Sequence, residues 1–179
     1  MSPSSQNYKK QNSFIDIRHH KTLEDITPRI RNLKDRLHSL SLSDYKKNIV
    51  KSACSELLDP ETIDNKLTPF KLHSYNLVEI SRLKNEDLPR YLFYRYRYET
   101  FPQRLQLDDF PPSLQIEPTS ICNYRCLFCY QIDEEFTRKS NGMMGSMSLD
   151  LFKQIIDQAE GRCEAITLAS RGEPLICPD

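Results

Sequence analysis

Apolar residues in the front half of the chain recur at helical spacing. Ile26, Ile30, Leu33, Leu37 and Leu40 are separated by steps of four and three, which lines one face of a helix. Thr27 followed by Pro28 predicts where that helix starts, as a hydroxyl cap before a proline in the first turn. A second stripe, Tyr45, Ile49, Val50, Ala53, Cys54, Leu57 and Leu58, predicts a helix from Ser43. It should stop before Asp59-Pro60, because proline disfavours helix in the residue preceding it. The two stripes are expected to pack as an αα-hairpin. They are too short for the sustained heptads of a coiled coil.

Residues 60–88 show no clear period. The stretch Arg90 to Arg104 then reads RYLFYRYRYETFPQR, with aromatic rings interleaved with arginines. Such a pattern can stack on bases and contact phosphates. The simpler expectation is an amphipathic helix or docking segment, rings covering a neighbouring domain and arginines at its rim.

Phe110-Pro111-Pro112 marks a boundary, and the pattern changes beyond it. Ser113-Leu114-Gln115-Ile116-Glu117 alternates and predicts a strand. Residues 131–147 read as a loop containing Gly142, Gly145, Met143, Met144 and Met147. Ser148 is placed to cap a helix whose buried face is Leu151, Phe152, Ile155, Ile156 and Ala159, with Gly161 as its stop. Ala165-Ile166-Thr167-Leu168-Ala169 is a short apolar run suited to a buried parallel strand. Strand, loop, helix and strand make one βαβ unit, so the back of the chain predicts an α/β fold. The organisation expected is a loose tail over 1–20, an α-helical extension over 21–110, and an α/β segment over 111–179.

Composition narrows the classes. No apolar run approaches the ~18–20 residues needed to span a bilayer, so no membrane contact is expected. Lys plus Arg and Asp plus Glu are both 25, so net charge is zero. Nothing argues for bulk attraction to nucleic acid, and none is expected as a partner. The six cysteines lie in a chain of 179 residues, too sparse for a disulfide scaffold. The polar N-terminus shows no apolar signal segment. A reducing, cytoplasmic location follows, where clustered cysteines point to metal or catalysis.

The chemistry concentrates in Cys122-Asn-Tyr-Arg-Cys126-Leu-Phe-Cys129, just beyond the first predicted strand. Three thiolates this close can converge on one metal centre. Structural zinc sites close with four ligands, and no second cysteine pair follows at zinc-ribbon spacing. Iron–sulfur clusters use cysteine thiolates, usually four. Three thiolates on a four-iron cluster leave one iron open, as a catalytic metal requires. Cys163, Cys177 or a histidine could still complete a zinc site. Cys54 lies on an apolar face and reads as a small buried hydrophobe. Cys163 and Cys177 read as core or surface thiols. None of His19, His20, His38 and His73 is assigned to a metal. Glu117 and Arg125 are charges near a strand end, either facing a site or forming a local ion pair.

At these residues the sequence resembles the radical S-adenosylmethionine superfamily. The C-x3-C-x2-C spacing matches, with the aromatic Phe128 before the last cysteine. Arg171-Gly172-Glu173-Pro174, after the second strand, resembles the family's Gly-Gly-Glu-Pro element. The wording around the cysteines is similar to members that carry a C-terminal auxiliary-cluster (SPASM-type) domain. The match covers roughly residues 112–179.

The resemblance implies that Cys122, Cys126 and Cys129 hold three irons of a [4Fe-4S] cluster. S-adenosylmethionine would chelate the fourth through its amino and carboxylate groups. One electron, from a donor such as flavodoxin or ferredoxin, would cleave it to methionine and a 5′-deoxyadenosyl radical that takes hydrogen from a substrate the sequence does not identify. Cofactor contacts would come from the backbone at Phe128 and Gly172, with Glu173 as a further contact or a turn cap. No catalytic residue beyond the cluster ligands is implied. The family fold implied is a partial (βα)6 TIM-like barrel, of which this chain holds the opening, so an N-terminal fragment, unstable or inactive alone, is expected. The alternative is a non-enzymatic zinc or iron–sulfur module with a helical protein-interaction region. Arg171 departs from the family pattern. An ordinary φ there would let arginine serve, and its guanidinium could reach a carboxylate.

Overall fold

The computed structural model describes residues 22–62, 67–168 and 170–178. The tail expected over 1–20 lies outside them, as do His19, His20 and Ala169. Contacts divide the chain into two compact units, Met1–Gln106 and Leu107–Asp179. The break falls slightly before the Phe110-Pro111-Pro112 boundary.

The first unit is helical. Helix α1 spans Leu23–Arg36, α2 spans Asp44–Leu58, α3 spans Ser74–Arg82 and α4 spans Leu88–Gln103. Helix α1 begins a turn earlier than the Thr27-Pro28 reading placed it. Thr22 is the cap, and its backbone N–H donates to Asp25 Oδ2 at 2.8 Å. The capping carboxylate outcompetes proline as a start signal, and Pro28 sits inside the helix. Leu40 falls beyond α1, after a 3-10 turn over Leu37–Ser39. Helix α2 runs as its stripe predicts, with Ser43 Oγ accepting from the Lys46 N–H. Helix α3 has no counterpart in the periodicity reading. It is short, and Asn76 caps it by accepting from the His73 N–H.

Helix α2 packs against both α1 and α4, so the expected hairpin is part of a larger bundle. Ile30, Leu33, Val50, Ala53, Cys54, Ile80 and Leu92 are completely or almost completely buried in its core. Tyr45, assigned to the buried stripe, stays about half exposed, with its ring edge-on to Phe93 at 6.0 Å. Arg29 ties α1 to the end of α3. Its guanidinium donates to the Ile80 and Leu83 carbonyls at 2.6 and 2.7 Å, at the C-terminal end of that helix. Two arginines of α4, Arg95 and Arg97, turn inward, while Arg90 stays exposed. Arg97 is 2% exposed and lies over the Phe93 ring at 4.4 Å. Arg95 pairs with Glu99 at 2.7 Å and is flanked by the rings of Tyr75, Tyr94 and Tyr98. Ring stacking at both arginines and the Glu99 ion pair at Arg95 engage these charges inside the bundle.

The second unit is one strand–helix–strand module. Strands β1 (Ser113–Gln115) and β2 (Ala165–Thr167) pair in parallel, Ser113 opposite Ala165 and Gln115 opposite Thr167. Between them lie the short α5 (Glu134–Thr137) and α6 (Leu149–Ala159). Both strands are shorter than their apolar runs. After β1 the ladder contributes one further bond, from Ile116 N–H to Thr167 O at 2.8 Å. Pro118 then has no amide to donate. Ser148 caps α6 by accepting from Leu151 N–H, and Gly161 takes φ +70° after it, as expected of cap and stop.

Burial departs from the expectation. Of the predicted α6 face, Ala159 is buried, Leu151 is exposed, and Phe152, Ile155 and Ile156 are half-buried. Ile166 and Leu168 in and after β2 are also exposed. A two-stranded sheet has too few neighbours to bury a strand on both faces. Among the described residues no helix is long and apolar enough to cross a membrane.

Candidate metal centre

The segment Pro118–Ile121, which continues β1, is held from both sides. On one side the 131–147 loop folds back onto it. Ser120 N–H donates to Gly145 O at 2.9 Å and Met147 N–H to Pro118 O at 2.7 Å. The Gly145 N–H donates to Ser120 Oγ at 2.8 Å, and the Thr119 and Ser146 hydroxyls lie 2.9 Å apart. Thr119 and Ser120 are buried by this clamp. The stretch read as a loop is therefore pinned, and its glycine and serine supply the pinning atoms.

On the other side sits the Arg171–Pro174 turn. A Cβ added at Gly172 would lie 1.9 Å from Thr119 O and 2.8 Å from Ile121 O. Only glycine allows that approach. The Glu173 N–H donates to Ile121 O at 2.9 Å. The Glu173 carboxylate accepts from Leu175 N–H at 3.1 Å and so caps the following 3-10 turn.

Arg171, at the start of this turn, keeps an ordinary backbone. Among the described residues Leu105 is the non-glycine residue with positive φ. The Arg171 guanidinium meets Glu117 at 2.7 Å, and its backbone N–H donates to the same carboxylate at 3.0 Å. This pair joins the end of β1 to the second motif. The Arg171 guanidinium holds the Glu117 carboxyl below the usual carboxylate range, against a smaller opposing effect of burial. Glu117 thus has an ion-pair partner, and that partner is not Arg125. Arg125 turns onto its own loop, donating to the carbonyls of Cys122 at 3.0 Å and Tyr124 at 2.7 Å.

The cysteine loop leaves this clamped segment directly. Cys122 Sγ accepts from the Tyr124 N–H at 3.4 Å, and Cys129 N–H donates to Cys126 O at 2.9 Å. Cys126 is exposed, Cys122 and Cys129 are half-buried, and all three are free thiols. Leu127 and Phe128 at the tip are 90% and 93% exposed. Among the described residues no group of three or more His, Cys, Asp and Glu side chains is gathered to hold a metal ion. The donor set nonetheless suits a thiolate-bound cluster: three free soft ligands on one short exposed loop. Among the described residues their sulfurs are not gathered as a preformed cage, so a bound cluster would require the loop to close around it. Cys163 Sγ donates to Ala165 O at 3.1 Å and Cys177 Sγ to Pro118 O at 3.6 Å, so both have partners outside the loop. Cys54 is fully buried in the helical unit, and burial pushes its thiol up to about 12.

Gln131 was not singled out by its sequence context. It is 6% exposed, two positions after the last loop cysteine, and its Nε2 donates both to Ser120 O, at 2.7 Å, and to Arg171 O. A polar residue between an aromatic and an isoleucine gives no periodic signal, and its role depends on a contact 40 positions away. Nearby, a largely apolar groove of about 380 Å³ is lined by Pro118, Met147, Phe152, Leu168, Leu175 and Cys177, among others.

The chain matches no protein-family profile, no curated protein and no solved structure.

Proposed function

We propose that this chain carries the cluster-binding and S-adenosylmethionine-binding elements of a radical S-adenosylmethionine enzyme. The observation that supports this reading most is the contact between Gly172 and the Thr119–Ile121 backbone. It brings the Arg-Gly-Glu-Pro turn against the segment that leads into Cys122, so two motifs far apart in sequence share one strand end. Ligands of open α/β sheets bind at such carboxyl ends of strands.

In this reading Cys122, Cys126 and Cys129 hold a [4Fe-4S] cluster, and the backbone at Phe128 and Gly172 contacts S-adenosylmethionine. When bound, the cluster supplies one electron for reductive cleavage of that cofactor. The chain's own part is to hold and orient. Glu173 caps its turn and keeps the Gly172 backbone against β1. Arg171 keeps Glu117 ionised and fixes the second motif to the strand end. The exposed loop tip leaves room for a one-electron donor such as flavodoxin or ferredoxin.

Anaerobic reconstitution with iron and sulfide tests the reading. About four irons per chain are expected, with an EPR signal, after reduction, that changes when S-adenosylmethionine is added. Cys→Ser variants at 122, 126 or 129 should lose the cluster, and variants at 54, 163 or 177 should keep it. Tight zinc binding without a cluster would overturn the proposal in favour of a non-enzymatic metal module.

A further inference from the structure

We infer that Gln131 is a positioning residue that locks the cysteine loop to the Arg171–Gly172 peptide and sets how that peptide presents itself to a ligand. The inference deepens the functional reading above and rests on it for the ligand's identity, but the lock itself is a property of the chain.

Three segments meet at one side chain. Gln131 lies in the 3-10 turn Tyr130–Ile132 that follows Cys129 directly. Its Nε2 donates to Ser120 O, on the continuation of β1, and to Arg171 O, in the second motif. A primary amide nitrogen has two N–H donors, and these two carbonyls use both. The side chain is 6% exposed, so water does not replace it readily. Arg171 O belongs to the peptide that leads into Gly172, whose Cα has no room for a side chain against Thr119. That peptide is thus fixed by contact on one flank and by Gln131 on the other. A carbonyl has two lone pairs, so Arg171 O keeps one free to accept from a ligand ammonium while the first is held by Gln131.

The near-isosteric replacements do not meet this geometry. Glutamate has the same shape but presents acceptors to two acceptors. Asparagine is one methylene shorter and cannot span both carbonyls. Leucine removes the donor from both carbonyls, of which that of Ser120 is buried.

Two measurements on the full chain decide the matter. The first needs no cluster: amide hydrogen exchange of the cluster-free chain, wild type against Gln131→Glu and Gln131→Asn. The Glu173 N–H, bonded to Ile121 O, should exchange about tenfold faster in both variants, with α6 and the helical unit unchanged. Unchanged exchange at Glu173 overturns the lock. Faster exchange throughout the second unit also overturns it, since Gln131 is then a general packing residue.

The second measurement uses the reconstituted chain. Iron content of the variants should equal that of wild type, while the S-adenosylmethionine concentration needed for half of the EPR change rises about tenfold. Iron loss in parallel with ligand loss overturns the positioning role, because Gln131 would then serve the cluster ligands alone. If wild type itself takes up no cluster, the functional reading fails, and the exchange measurement still decides the lock.

Discussion

Gly172 stands so close to Thr119 that a β-carbon on it would overlap the Thr119 carbonyl oxygen at 1.9 Å. The nearest atoms are backbone, clamped on their far side by Gly145, Ser146 and Met147, so no flexible side chain can move aside. Gly172→Ala must therefore push the two segments apart, at about 1–3 kcal/mol by the usual cost of overpacking. The expected result is faster amide exchange at Glu173 and a lower unfolding midpoint for the second unit, with the helical unit unaffected. Equal exchange in the variant and wild type would show that the turn accommodates a methyl group.

Glu56 joins three segments of the helical unit. It accepts from the Arg104 guanidinium at 2.8 and 3.1 Å, from the Phe70 N–H at 2.8 Å and from the Tyr96 hydroxyl. Burial by itself raises its pKa, but these donors together outweigh burial and hold the carboxyl below its ordinary value. A folded pKa below the unfolded one, about 4.3, gives stability that is full above that value. It is lost as pH falls through the lower, folded value. Urea unfolding should therefore weaken below about pH 4 in wild type, and Glu56→Gln should lack that step. At neutral pH the variant should lose about 1–3 kcal/mol, because half-buried Arg104 loses its ion-pair partner and keeps only the Tyr96 hydroxyl and the Thr68 carbonyl.

The Glu117–Arg171 pair makes a second titration prediction. The guanidinium lowers the Glu117 pKa. In Arg171→Gln the Glu117 carboxyl should titrate higher than in wild type, as read by carbon NMR of the labelled side chain. An unmoved titration would mean that the ion pair does not persist in solution.

The parts of this fold that local pattern could carry were legible in the sequence. Stripes every three or four residues gave α2 its limits, because Ser43 caps it and Asp59-Pro60 stops it. The parallel pairing of Ser113–Gln115 with Ala165–Thr167 followed from strand, helix and strand in succession. What local pattern could not carry was missed. The start of α1 depends on an Asp25 carboxylate turning back to Thr22, which competes with the proline signal at Pro28. Burial at Leu151, Ile166 and Leu168 depends on neighbours that a two-strand sheet does not supply. The spacing of the loop cysteines was readable in the sequence, but the assembly around them was not. The closeness of Gly172 to Thr119, the pairing of Glu117 with Arg171 and the bridge made by Gln131 are contacts across 40 or more positions.

Helix α4 ends in a Schellman motif with an unsuitable residue at its turning point. The Gln106 N–H donates to Phe101 O at 2.9 Å and the Leu105 N–H to Pro102 O at 3.3 Å. Leu105 has φ +51° and is 92% exposed, so it bears left-handed strain with no burial to offset it. Leu105→Gly should raise the stability of the helical unit by about 1 kcal/mol, seen as a higher urea midpoint at unchanged slope. A lower midpoint would mean that the leucine contributes a contact that outweighs the strain.

The six cysteines should separate sharply in a thiol-alkylation time course on the metal-free, reduced chain. Cys54 is fully buried among the helices, and burial pushes its thiol up to about 12. The thiolate is the reactive form, so at pH 8 a raised pKa suppresses reaction before access is considered. Cys126 is exposed on a loop with solvent-facing neighbours and should be labelled first. Cys122 and Cys129 should follow, since both are half-buried. Cys54 should react more than about a hundredfold slower than Cys126, and at the same rate only after denaturation. Iodoacetamide labelling read by peptide mass spectrometry gives each rate separately. Reconstitution with iron and sulfide should then protect Cys122, Cys126 and Cys129 together and leave Cys163 and Cys177 as they were. Protection of one loop cysteine without the other two would remove the shared-cluster reading, whatever the iron content.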